Sequence, residues 1–91
     1  MSYRVILRLS LNNDVGSRIR NTIHGDLSAV GMRQTKTGTW ESSSLTEEDA
    51  AYHMAKVLLT IAHVHNPNKP TVPNAHPDSH LDHLWIYIDS N

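Results

Sequence analysis

Four side chains near the two ends of the chain carry the most informative chemistry: Arg4, Arg8, Trp85 and Tyr87. They sit at even spacing inside alternating runs. In Tyr3 to Leu11, Tyr3, Val5, Leu7, Leu9 and Leu11 face one way, and Arg4, Ile6, Arg8 and Ser10 the other. That is the period of a strand with one buried face. In the final run, Leu84, Ile86 and Ile88 share a face, with Trp85, Tyr87 and Asp89 opposite. If the two strands are neighbours, Arg4, Ile6 and Arg8 lie beside Trp85 and Tyr87. Sheets that bind RNA stack bases on aromatic rings and hold phosphates with arginines. Trp, Tyr and Arg are also enriched where proteins meet. A homodimer packed through Ile6, Trp85 and Tyr87 is therefore the competing expectation, and the two uses are compatible. No RNP-like run of glycine and aromatic residues is present.

The densest polar cluster is His76-Pro77-Asp78-Ser79-His80-Leu81-Asp82-His83. On a helical turn, His76, His80 and His83 would be spaced i, i+4, i+7 and would present three imidazoles on one face. Such a face suits zinc, nickel or another divalent metal. His83 also falls at the start of the last strand, where helical spacing has no meaning, and a solvated loop is the plainer expectation. His53 and His63 belong to the polar side of a helix. No catalytic set is identified. With no cysteine there is no thiolate, disulfide or cysteine-bound metal. There is no P-loop, Gly-x-Gly-x-x-Gly or EF-hand, and Ser42-Ser43-Ser44 lacks a nucleophile elbow and an evident base.

The elements that must position these residues follow along the chain. Asn12, Asn13 and Asp14 are N-cap types. After them Val15, Ile19, Ile23 and Val30 keep a helical spacing, with Gly25 expected to end or bend the helix at His24 and Gly31 to stop it. Met32 to Lys36 and Thr39 to Ser43 flank Thr37-Gly38, which predicts a hairpin at a sheet edge. Thr46-Glu47-Glu48-Asp49 starts a second helix, with a hydroxyl cap and three acids at its positive end. It is expected to run to about His65, with Ala51, Met54, Ala55, Leu58, Ile61, Ala62 and His65 inward and Val57, Leu59 and Val64 widening the stripe. Residues 66–80 hold all four prolines and read as an extended, irregular loop.

Strand, helix, strand, strand, helix, strand makes an α+β chain. Its most economical form is a ferredoxin-like βαββαβ fold, one antiparallel sheet with both helices on one face, in a single domain over residues 1–91. The open face would then be wetted, covered by the proline loop, or buried in a dimer. In this layout the chain resembles small ferredoxin-like CRISPR-associated endoribonucleases and the related antitoxin ribonucleases. The residues that carry the resemblance are the opening strand Tyr3-Arg4-Val5-Ile6-Leu7-Arg8-Leu9 and the join from Thr37-Gly38-Thr39-Trp40 through Ser42-Ser43-Ser44 into Thr46-Glu47-Glu48-Asp49. The resemblance implies an RNA partner and, were the chain an enzyme, endoribonuclease activity. The CRISPR proteins hold a metal-binding aspartate at the end of the first strand. Here that stretch is Ser10-Leu11-Asn12-Asn13, and the nearest aspartate is Asp14.

Charge is unevenly spread. Residues 1–40 carry six cations against two carboxylates (+4), and residues 41–91 two against seven (−5), for a net −1. A basic N-terminal portion suits an anionic partner; the opposed halves also suit contact within a fold or between subunits. Arg4 and Arg8 break the opening apolar run, and Ala50 to Val64 is interrupted by His53, Lys56, Thr60 and His63. The expectation is a cytoplasmic protein with no membrane contact. Three functions stay open: a nucleic-acid-binding module, a non-catalytic protein-interaction or regulatory dimer, and a histidine-based metal binder.

Overall fold

A computed structural model describes residues 1–91. Strand β1 (Tyr3–Asn12) is the spine of the molecule, because its alternation is complete. Val5 and Leu7 are wholly buried and Leu9 nearly so, while Arg4, Arg8 and Ser10 face solvent. Each buried aliphatic side chain contributes roughly 1.5–3 kcal/mol by leaving water. The remaining elements are helix α1 (Arg18–Ala29), strands β2 (Arg33–Lys36) and β3 (Thr39–Leu45), helix α2 (Glu47–Ala62) and strand β4 (His80–Ser90). The strands form one antiparallel sheet in the order β2-β3-β1-β4. The first and last strands are neighbours, as the expected layout of elements has them. Their register runs from Tyr3 opposite Ser90 to Asn12 opposite His80, with one bulge between Ser10 and Leu11.

One core holds the layers together. Val5, Leu7 and Leu9 of β1 and Trp40 of β3 pack with Ile19, Ile23 and Leu27 of α1 and with Ala50, Met54 and Val57 of α2. Trp40 is fully buried, and its indole N–H donates to Nδ1 of His24 at 3.0 Å. That bond makes Nδ1 an acceptor and places the proton of the neutral ring on Nε2. At the hairpin tip Gly38 has φ of 76°, and a Cβ there would collide with the carbonyl oxygen of Leu9. The Leu9 amide donates to the Gly38 carbonyl at 2.8 Å, so the tip is sewn to β1 by backbone alone.

Both helix starts use side-chain caps. The Asp14 carboxylate accepts from the amides of Ile19 and Arg20. The Thr46 hydroxyl accepts from Asp49, with Glu47, Glu48 and Asp49 in the first turn of α2.

Three sequence expectations need correction, and one open alternative is narrowed. Val15 lies in a separate 3₁₀ turn, Val15–Ser17, and is exposed, because Asp14 caps the helix from outside that turn. Gly25 neither ends nor bends the assigned helix; α1 runs through it to Ala29, held by the anchors Ile23 and Leu27 on either side. Helix α2 stops at Ala62, and its inner stripe is Ala50, Met54, Val57, Ile61 and the nearby Val64, joined by the buried Thr60. Ala51, Ala55, Leu58 and Ala62 are exposed, about 100° around the helix from the expected phase. The proline-rich connection leaves the open sheet face bare. Its Val72 enters the helix-side core, and the Thr71 hydroxyl donates to the Thr60 carbonyl.

Candidate nucleic-acid interface

The strand register assembles the four sequence-nominated residues on the face away from the helices. Two cross-strand rows span the sheet: Arg33, Glu41, Ile6 and Tyr87, then Lys36, Thr39, Arg8 and Trp85. Trp85 and Tyr87 follow each other on one face of β4, and their rings stack at 5.9 Å with an interplanar angle of 15°. Both are well exposed, at 41% and 38%. The Arg8 guanidinium lies 5.4 Å from the centre of the Trp85 ring, a cation–π contact worth roughly 0.5–1 kcal/mol at an exposed site. The contact leaves Trp85 substantially open to solvent.

Arg4 stands at the next position along. It is opposite Asp89 in the ladder and 3.6 Å from Glu41. This ion pair is solvated on both sides and adds little stability, so Arg4 is free to exchange Glu41 for another anion. The Tyr87 hydroxyl donates to Asp89 at 3.1 Å. That hydrogen bond and the carboxylate charge hold the phenol above its ordinary value near 10, with Arg4 opposing.

Sequence reading missed the other half of the face. A polar groove of about 450 Å³ is lined by Arg4, Arg33, Thr35, Glu41 and Ser42 to Ser44, with Gly31 at its rim. No hydrophobic side chain enters it. Two guanidiniums beside the Ser42 to Ser44 stretch, with the Glu41 carboxylate between them, form a polar cleft whose cations are matched to phosphate oxygens. The open face thus bears Arg4, Arg8, Arg33 and Lys36 against Glu41, Asp89 and Asp82, the last accepting from the Ser10 hydroxyl at 3.0 Å, which leaves an excess of one cation next to the aromatic pair. The serine run noted in the sequence lines this cleft.

The three nominated histidines do not converge. Nδ1 of His76 accepts from the Asp78 amide within the loop, and Nε2 of His80 meets Asn12. His80 and His83 are both in β4, opposite Asn12 and Ser10, and the bulge at Asp82 leaves them on one side of the ladder, while His76 stays in the loop before it. His83 pairs with Ser10 on the open side. No group of three or more His, Cys, Asp or Glu side chains is placed to hold a metal ion. The helical spacing fails because β4 takes up the segment before a turn of helix can form. His53 is half-buried, edge-on to Tyr52, and His63 is exposed.

No family model matches the chain, and comparisons with curated proteins and with solved structures give no match either. No helix is long and apolar enough to cross a membrane.

Proposed function

We propose that this chain is a small single-stranded RNA-binding module of ferredoxin-like architecture, with the open sheet face as its platform. The element order and the β2-β3-β1-β4 arrangement support that architecture. The observation that carries the functional reading is the stacked, solvent-facing Trp85–Tyr87 pair with Arg8 laid against it. Bases stack on the rings. Arg4 and Arg33 follow the phosphate backbone through the polar groove, with Lys36 in the neighbouring cross-strand row. The reading is binding rather than cleavage. Asp14, the carboxylate nearest the end of β1, has both oxygens engaged by amides of α1 and serves as a helix cap.

Fluorescence anisotropy with labelled single-stranded RNA across a salt series tests this. Arg8→Ala is expected to weaken binding to all sequences and to reduce the salt slope by about one. Trp85→Ala is expected to cost ~1–3 kcal/mol of affinity with the slope nearly unchanged. A protein that binds no RNA even at low salt removes the proposal.

A further inference from the structure

The two edges of the sheet are built differently. β2 is four residues long and bears Arg33 and Lys36, features that blunt an edge against further pairing. β4 is eleven residues long and contains no lysine, arginine or proline. Its outer row of backbone amides and carbonyls has no strand beside it. Its core-side residue Ile88 is 43% exposed, although its cross-strand mate Val5 is completely buried. The helix layer therefore stops short of this edge.

Thr60 turns one flank of α2 toward the Thr71–Val72 loop and α1, and the opposite flank, toward β4, is apolar as well. Ala51, Ala55, Leu58 and Ala62 recur at i, i+4, i+7 and i+11, and all four are exposed. Beyond the helix the same line reaches His65, whose Nε2 lies 2.7 Å from the carbonyl of Ser79, next to the start of β4. The molecule thus has one side wall made of a bare strand edge below and small apolar helix residues above.

We propose that this wall is the contact for a second copy of the chain, with β4 pairing antiparallel to the partner's β4 about a two-fold axis at Ile86. That register is self-complementary. Ile86 meets its own mate. On the helix side Leu84 falls opposite the partner's Ile88. On the open side Trp85 falls opposite the partner's Tyr87, and His83 opposite the partner's Asp89. Apolar, aromatic and imidazole–carboxylate pairs all match, with no like charges facing. Moving the axis one residue back, to Trp85, sets Asp82 against Ile88 and Leu81 against Asp89.

The area is adequate. Nine residues, 82 to 90, overlap over ~30 Å at ~3.3 Å per residue. The molecule is 20 Å thick, so each copy presents a wall on the order of 600 Å², the lower end of stable interfaces, which bury ~1,200–2,000 Å² in total. The result is a continuous eight-stranded sheet. Ala51, Ala55 and Ala62 let the two α2 helices approach, and the open face stays free, with two Trp85–Tyr87 pairs brought together. This contact replaces packing through Ile6, Trp85 and Tyr87, and it holds whether or not the open face takes RNA.

The absence of cysteine makes the test clean. Single-cysteine variants are treated with a short bis-maleimide under native conditions. Ile86→Cys is expected to give a linked dimer. Leu84→Cys alone is expected to give none, its two copies lying ~13 Å apart along the strands at ~3.3 Å per residue. An equimolar mixture of Leu84→Cys and Ile88→Cys is expected to give a linked heterodimer. Leu58→Glu, on the exposed helix flank, gives a second reading independent of the strand. It should weaken the dimer seen by light scattering at least about tenfold by setting a carboxylate against an apolar wall, with an unchanged circular dichroism spectrum. A monomer at every concentration overturns the proposal. So does a dimer that links through a cysteine at Ile6 but not through Ile86.

Discussion

The two tryptophans occupy opposite faces of the same sheet and have opposite surroundings. Trp40 on β3 is fully buried, packed among α1 and α2 residues, with its one polar atom satisfied by His24. Trp85 on β4 keeps 41% of its surface in solvent and touches an arginine and a tyrosine. Removing the first takes away part of the fold. Removing the second takes away part of a surface. The difference locates stability on the helix side and leaves the open side for the recognition proposed above, two settings that the sequence writes with the same letter.

The largest effect expected from this contrast is that of Trp40→Ala, which opens a cavity in a small core. It should cost ~3–5 kcal/mol in chemical denaturation, a large part of the ~5–15 kcal/mol available to a domain. A loss below ~1 kcal/mol would contradict the assignment of Trp40 to the core. Next is His24→Ala, which strands the buried indole N–H without an acceptor. A loss of ~1–3 kcal/mol is expected, and Trp40→Phe, which lacks that N–H, should make the second substitution much cheaper in a double-mutant cycle. Trp85→Ala should change stability by no more than ~1 kcal/mol, the scale of an exposed cation–π contact, while lowering RNA affinity as described above.

The smallest effect is a titration. Tyr87 is held neutral by Asp89, so its phenolate band should appear at higher pH than the ordinary value near 10. A tyrosine whose pKa is raised by folding adds stability below its unfolded value and loses that contribution as pH rises through the folded one. Asp89→Asn should bring the phenol back down in an ultraviolet pH titration. An unshifted curve would mean that the Tyr87–Asp89 contact is not populated.

The open face was partly legible in the sequence because period-2 alternation in β1 and β4 fixes which side chains share a side. Arg4, Arg8, Trp85 and Tyr87 follow from it directly once the two strands are adjacent. Arg33, Lys36 and Glu41 did not, because β2 and β3 have too little apolar alternation to reveal their register. In α2 two apolar rows compete: Ala50, Met54 and Val57 against Ala51, Ala55, Leu58 and Ala62. Hydropathy does not choose between them. Packing against β1 and α1 does, and the row left outside is the one assigned to the second copy. The histidine cluster misled for a related reason. Spacing of i, i+4, i+7 has meaning only within a helix, and the segment that carries His80 and His83 pairs with β1.

The antiparallel register of β1 and β4 has a mechanical consequence. Tyr3 lies opposite Ser90, and the Asn91 amide reaches the Ser2 carbonyl at 3.1 Å. A pull applied at these two positions loads the ladder from one end and across the strands. The rungs then open one after another, as in a zipper, instead of resisting together in shear. Tension along this line is therefore expected to peel β4 from the sheet at low force, baring the edge of β1 and parting Arg4 from Asp89 well before Arg8 from Trp85.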